Sequence, residues 1–303
     1  MDPTRLNQAV LDGWQGSSSH FGFQVTCSTP DGGWTISHNP RDSFNISSAI
    51  KPIILAGVLR QVEAGQLRLG QQAAIRSTDR VVTSEVTDAY PDGSTLTLRA
   101  LAEAMIETGD NTATEVLLRL AGKDAFERLL GDFGLTSTRF PCSLRRMLVY
   151  SYGMPEELAE SDSLSRLLTG RAPDPNRMVE LYSGRFGQVS SPQDLVRFYD
   201  LAFSGRMFAE ARNLDAFRNI LRLEDKRQKI SWPPGVNCYR KGGNLELPPF
   251  YGASLAGCVT SAGERYSFAF CMNCSPETPE ALDAELDIFR SCVKSAFYAF
   301  REG

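Results

Sequence analysis

Histidine is almost absent from this 303-residue chain: His20 and His38 are the only two, and neither sits near a Ser, Cys or carboxylate motif. A histidine base and a histidine-rich metal site therefore both drop out as leading readings. No stretch approaches the roughly 20 apolar residues that a membrane span needs. No Lys/Arg run marks a nucleic-acid surface, and the formal net charge is -4, so neither a membrane nor a nucleic acid is expected as partner. The seven cysteines are odd in number and lack metal-site spacing. The lone Cys-x-x-Cys, Cys271 to Cys274, ends a strand-like run, where residues three apart point to opposite faces; buried, inert thiols are expected there. The first residues, Met1 to Gln8, lack the basic-then-apolar layout of a secretory signal, and a cytoplasmic location is expected. No cofactor and no metal are expected.

What is present is an ordinary globular composition, 42% hydrophobic and 22% charged, in a chain long enough for a two-part unit. Leu6, Ala9, Val10 and Trp14 recur at helical spacing over residues 4–14. Phe21, Phe23, Val25 and Cys27 alternate, Pro30-Asp31-Gly32-Gly33 supplies a turn, and Trp34, Ile36 and His38 alternate again, which predicts a hairpin. A long helix is predicted from about Ser48 to Ala64, stopped by Gly65, and further helices near 97–106, 112–121 and 124–133. Residues 141–190 carry polar and Gly/Pro breaks with one helix expected around Pro155–Leu168. Ser191-Pro192-Gln193-Asp194 reads as an N-cap with Pro at the first helical position, opening a helix to Gly205. Strand patterns return at 236–241, 251–259 and 265–271, and an amphipathic helix runs from about Pro279.

Strands at both ends around a helical middle predict a mixed α/β fold: one antiparallel sheet built from chain-distant segments, flanked by helices, with a second, all-helical lobe. The expected division gives the α/β lobe residues 1–47 and 206–303 and the helical lobe 48–205, with 141–190 as an atypical insertion. No internal repeat is visible.

The chemistry centres on Ser48-Ala49-Ile50-Lys51. Residues three apart share a helical face, so the Lys51 amine can reach the Ser48 hydroxyl. Backbone N–H groups at a helix start are available to hold an oxyanion. A lysine pressed by burial and a second cation can lose its proton near neutral pH and serve as base. Pro52 removes one helical N–H and disfavours helical angles at Lys51, so an irregular first turn is expected. Taken alone, Ser-x-x-Lys is a weak motif, equally readable as a capping serine and a solvated lysine.

Its surroundings strengthen it. Phe44 through Lys51, continuing Val58-Leu-Arg-Gln-Val-Glu-Ala-Gly65 to Leu69, resembles the nucleophile helix of class A serine β-lactamases, and the Lys51-Pro52 step resembles penicillin-binding proteins of the same superfamily. Leu98 to Thr108, followed by Gly109-Asp110-Asn111, resembles the helix and turn that carry the Ser-Asp-Asn motif. Tyr239-Arg-Lys241-Gly242-Gly243 resembles the strand that carries Lys-Thr-Gly. The resemblance covers roughly residues 4–140 and 186–303 and implies a β-lactamase/transpeptidase-like fold. It implies that Ser48 is the acylated nucleophile, Lys51 its base partner, and Asn111 a hydrogen-bond partner of Lys51 and of the substrate amide. Lys241 would attract a carboxylate on a small-molecule substrate, the N–H groups of Ser48 and Asn244 would form the oxyanion hole, and Asp110 would tie the turn together.

Two departures shape the functional expectation. Gly109 stands where the family has a proton-shuttling serine, which leaves Thr108, Tyr150, Tyr152 or a water as substitutes. The Glu-Pro-x-Leu-Asn segment that supplies the deacylating glutamate is also absent: after Thr138-Arg139-Phe140 comes Pro141-Cys142-Ser143-Leu144. Glu156, Glu157, Glu160 and Glu180 lie in the replacing segment, about 30 residues longer than the family's, and nothing singles one out. The leading expectation is a serine hydrolase or acyltransferase that forms an acyl-enzyme at Ser48 on an amide, ester or lactam and is not an efficient class A β-lactamase. The alternatives are a weak β-lactamase or penicillin-binding protein, and an inactive fold of this type used for binding or scaffolding.

Overall fold

Alternation in the first hairpin decides which way the sheet faces. In β1 (His20–Thr29) the side chains of Phe21, Phe23, Val25 and Cys27 are buried together, and β2 (Gly32–His38) pairs with it antiparallel, Val25 opposite Ile36. The chain returns to this sheet only near its end, as β3 (Asn237–Leu247), β4 (Phe250–Ser261) and β5 (Glu264–Cys274). The strand order is β2-β1-β5-β4-β3, with every pairing antiparallel. The computed structural model describes residues 2–140, 143–178, 186–223, 237–261 and 263–302.

Each face of the sheet buries a different helical layer. Against one face lie α1 (Pro3–Gly13) and the long α9 (Pro279–Glu302), sharing a core of Val10, Phe23, Val25, Phe268, Phe270 and Phe297. On the other face lies the helical part of the chain: α2 (Lys51–Glu63), α3 (Leu98–Glu107), α4 (Asn111–Ala121), α5 (Lys123–Asp132), α6 (Leu144–Ser151), α7 (Pro192–Phe203) and α8 (Ala211–Leu221). Helix α7 packs on β1, β4 and β5, whereas α8 packs chiefly on α2 and α3 and meets the sheet only at its edge strand β3. The two thiols of the Cys-x-x-Cys step separate as the strand pleat requires, Cys271 into the helical core and Cys274 into the α1/α9 core.

Helix α2 is the most enclosed element. Every residue from Lys51 to Leu59 is buried, so the helix threads the interior instead of presenting one apolar face, and Arg60 is where it first meets solvent. Its start differs from the expected continuous helix. Ser47–Ile50 forms a 3-10 turn, Ser47 has φ +44°, and the α-helix begins only at Lys51. Lys51 itself keeps helical angles, φ -59° and ψ -37°, despite the proline that follows. Pro52 occupies the first helical turn, where its missing N–H leaves no bond unmade.

Between Phe140 and Ser191 the chain is more regular than its composition predicts. Helix α6 was not expected, and the helix expected over Pro155–Leu168 is a 3-10 turn, Glu156–Glu160, followed by a short helix, Leu164–Leu168. Helix α8, in a stretch without any prediction, carries Phe217, Ile220 and Leu221 into the core. Glu180 and the Pro141-Cys142 step lie outside the described residues. No helix among the described residues is long and apolar enough to cross a membrane.

Candidate active site

The site begins with a close approach between two backbones. Strand β3 passes directly beside the 3-10 turn: a Cβ added to Gly243 would lie 2.3 Å from the Ile46 carbonyl oxygen and 2.6 Å from the Ser48 nitrogen. Any side chain there would force the strand and the turn apart, so glycine is a steric requirement. Three hydrogen bonds hold the turn in place. Asn45 Oδ1 accepts from the Ser47 N–H at 3.1 Å, Ser47 Oγ donates to the Asn244 carbonyl at 2.8 Å, and Ser254 Oγ donates to the Ile46 carbonyl at 2.7 Å. Ser48 thus stands half-buried at the edge of a cavity of about 660 Å³.

Lys51 is 1% exposed, and its Nζ donates to the Gly109 carbonyl at 2.6 Å and to Asn111 Oδ1 at 2.8 Å. The turn that supplies both acceptors is set by Asp110, which is fully buried. Its carboxylate caps α4 by accepting from the Ala113 N–H at 2.8 Å, and it accepts from the Thr87 N–H and hydroxyl, both at 2.8 Å. Asn111 is oriented from its other end, where Nδ2 donates to the Val82 carbonyl at 2.9 Å. Gly109 has φ +73°, and a Cβ there would lie 3.8 Å from Lys51 Nζ and 3.9 Å from Lys241 Nζ. The side-chain position that the sequence leaves empty is therefore the point where the two lysines converge. Lys241 is 2% exposed and reaches this point from β3.

Most of the expected site residues meet at one place. Ser48, Thr108, Gly109, Asn111, Tyr152, Lys241, Gly242, Gly243 and Asn244 all line the Ser48 cavity, with Lys51 and Asp110 packed behind it. Tyr150 does not: it lines a separate cavity of about 360 Å³, its ring stacked on Phe186 at 3.6 Å with Arg177 4.9 Å from its centroid. Thr108 lines the Ser48 cavity while its hydroxyl donates to the Ala104 carbonyl of its own helix at 3.1 Å. Glu156, Glu157 and Glu160 face a different depression, beside Arg146. Among the described residues lining the Ser48 cavity the one carboxylate is Glu246 on β3. His20 does meet a carboxylate, Asp42, at 3.2 Å, a contact that its sequence position does not announce; both side chains are about half exposed.

Two contributions to the cavity were not expected from sequence. The first is α6, whose Leu144, Met147 and Leu148, with Tyr152 at its end, form one wall. The helix is fastened from behind. Glu115 on α4, 8% exposed, accepts from the Leu144 N–H and from Ser143 Oγ, and burial pushes its carboxyl up to about 7 against these hydrogen bonds. Arg145, 2% exposed, donates to the carbonyls of Ala159 (2.6 Å), Arg80 (2.5 Å) and Ser161 (2.5 Å). The second is Gln188, 3% exposed, whose Nε2 has no hydrogen-bond partner among the described residues. A glutamine in a loop gives no sequence signal of this kind, because its burial is decided by residues far away in the chain. Among the described residues, no group of three or more His, Cys, Asp or Glu side chains is placed to hold a metal ion.

A family model described as "Beta-lactamase enzyme family" matches residues 8–293. A curated β-lactamase of Rhodobacter capsulatus is 27% identical over 154 residues, which are 49% of this chain and 52% of that protein. The chain spans about half the length of the curated relatives it matches. The chromosome-encoded β-lactamase of Vibrio parahaemolyticus superposes with a TM-score of 0.73 at 15% identity, covering 98% of this chain and 100% of that one. A PBP-A variant, solved as an acyl-enzyme complex with penicillin G, superposes with a TM-score of 0.68 at 18% identity, covering 99% and 98%.

Proposed function

This chain belongs to the beta-lactamase enzyme family, and from that membership we propose that it is a serine hydrolase or acyltransferase whose acyl-enzyme forms at Ser48. The observation that carries the reading is the placement of Lys51, enclosed one turn after Ser48 and held by the Gly109 carbonyl and Asn111. The Ser48 oxygen bonds to the carbonyl carbon of an amide, ester or lactam while Lys51 takes the hydroxyl proton. The bond from that carbon to the leaving nitrogen or oxygen then breaks, and the leaving group receives a proton from the lysine pair at Gly109. Water, or an acceptor alcohol or amine, adds to the ester carbon and restores the Ser48 hydroxyl. The N–H groups of Ser48 and Asn244 hold the oxyanion, and Lys241 draws in a substrate carboxylate.

Such an enzyme is not an efficient class A β-lactamase. Support comes from Gly109, which has no hydroxyl to relay a proton, and from the segment opposite Ser48, whose described residues bring no carboxylate to the cavity. Intact-mass spectrometry after treatment with a fluorophosphonate or with penicillin G tests both statements. A one-to-one adduct that persists for penicillin and vanishes in Ser48→Ala is expected, with slow nitrocefin hydrolysis at most. Rapid nitrocefin turnover would refute the claim about deacylation, and an adduct retained in Ser48→Ala would refute the nucleophile.

The same Gly109 supports a second reading, a fold of this type that binds ligand without reacting. Thermal stabilisation by penicillin G with no mass change would favour it.

A further inference from the structure

Several polar side chains around Ser48 are already committed to the protein. Ser47 Oγ donates to the Asn244 carbonyl, Ser254 Oγ to the Ile46 carbonyl and Thr108 Oγ1 to the Ala104 carbonyl. Asn111 is spent at both ends, on Lys51 and on the Val82 carbonyl. Gln188 differs. It lines the same cavity and is 3% exposed, yet its Nε2 has no hydrogen-bond partner among the described residues. A buried donor left unpaired destabilises a fold, so a purely structural role does not account for this side chain. Its backbone is tied to the segment that runs into the nucleophile turn: the Ile46 N–H donates to the Gln188 carbonyl at 2.8 Å, and Phe44 and Asn45 pair antiparallel with Ser190 and Val189. The terminal torsion of a glutamine is broad and two-fold, so either end of the amide can be turned to the cavity.

We infer that Gln188 is the positioning residue of the second half-reaction, holding the water that attacks the Ser48 ester. The inference rests on acylation at Ser48 and adds what prepares release of the acyl group. A water oxygen accepts from Nε2 and a water hydrogen is accepted by Oε1, so a neutral amide can orient the molecule without taking its proton. The water oxygen bonds to the ester carbon while its proton passes to Lys51. The bond from that carbon to the Ser48 oxygen then breaks, and the Ser48 oxygen takes the proton back from Lys51 as the acid departs. Lys51 is thus the base of both half-reactions. Glu246, the one carboxylate among the described residues lining the cavity, is exposed on β3, whereas Gln188 is enclosed beside the nucleophile turn. An amide orients a water but does not deprotonate it, so release is expected to be slower than formation of the ester.

The test separates the two half-reactions in Gln188→Met, which keeps the shape of the side chain and removes its amide. The rate of fluorophosphonate labelling at Ser48 reads the nucleophile alone and is expected to stay within about twofold of wild type. With p-nitrophenyl acetate, intact-mass spectrometry reads the acetyl adduct at Ser48, both its occupancy during turnover and its half-life after desalting. The half-life is expected to lengthen about tenfold, with a Tm equal to or above that of wild type, because no unpaired amide remains buried. A structural role would instead lower Tm and slow labelling and release together. Gln188→Glu, which can hold the water and also take its proton, is expected to shorten the half-life below that of wild type. An acetyl adduct in Gln188→Met that is no more abundant and no longer-lived than in wild type overturns the inference, while labelling of Ser48 leaves the acyl-enzyme reading standing. No labelling of wild-type Ser48 overturns both.

Discussion

At the scale of single residues the site turns on two glycines that act for opposite reasons. Gly243 excludes a side chain because the Ile46 carbonyl and the Ser48 nitrogen occupy its place. Gly243→Ala is therefore expected to destabilise the protein by about 1–3 kcal/mol and to slow fluorophosphonate labelling of Ser48 by roughly 100-fold as the oxyanion donors separate; wild-type labelling would show that the turn can yield. Gly109 instead leaves room, with a Cβ at ordinary contact distance from both lysines. Gly109→Ser should cost about 1–2 kcal/mol for its left-handed backbone and yet accelerate penicillin acylation by roughly 100-fold, measured as the rate of adduct formation. An unchanged rate would mean that a hydroxyl at this point does not relay the proton.

Much of this residue-level arrangement is legible in the sequence because it is local. Ser48 and Lys51 are three residues apart, Gly109, Asp110 and Asn111 are consecutive, and Lys241 to Asn244 follow one another on a strand. What escapes is non-local. Gln188 is buried by partners on distant segments, and Tyr150 and Tyr152, two residues apart at the end of one helix, face different cavities. Tyrosines in a stretch read as a loop cannot be told apart without knowing that the helix exists.

At the scale of elements, α6 is the part that sequence reasoning missed. Its eight residues are too few for a full apolar period to stand out, and Pro141 just before it reads as a breaker. Helix α8 escaped differently: Leu214, Phe217, Ile220 and Leu221 carry a helical period that could have been found. Helix α6 depends on a carboxyl whose charge is costly. Burial raises Glu115 from 4.5 to about 7, so the folded protein binds a proton that the unfolded chain releases between those values. The sign follows: this contribution is present in full below about pH 4.5 and is lost as pH rises through about 7, by at most about 3 kcal/mol. The fall in Tm between pH 5 and pH 8 is expected to be smaller in Glu115→Gln, which can still accept from the Leu144 N–H. Parallel Tm curves for the two proteins would remove Glu115 as the source.

At the scale of the whole molecule, two large cores lie back to back on one sheet, with a smaller one of Val149, Met154, Ala159, Leu164 and Leu168 beside α6, and together they close off the interior of the described residues. The described cysteines report on it. Cys27, Cys258, Cys271, Cys274 and Cys292 are unpaired and buried, and burial pushes Cys258 up to about 12 and Cys292 up to about 11. None should react readily with a thiol reagent in the native state at pH 8, and all five should react in denaturant. Rapid native modification of Cys271 or Cys274 would mean that the sheet opens locally. The hairpin, the three late strands and the closing helix were legible because their periods of two and 3.6 are sustained; the layering of α7 and α8 on different partners was not, since amphipathic helices do not name the surface they cover.

The fastening of α6 has one more consequence. Glu115 grips the Leu144 backbone and Arg145 grips the carbonyls of Arg80, Ala159 and Ser161, and neither Glu115 nor Arg145 is among the side chains that line the cavity. The groups that anchor this short helix are thus distinct from the side chains it shows to the cavity. Libraries confined to positions 148 and 152, the two half-buried ones, could reshape this side of the Ser48 cavity while the core behind it stays fixed.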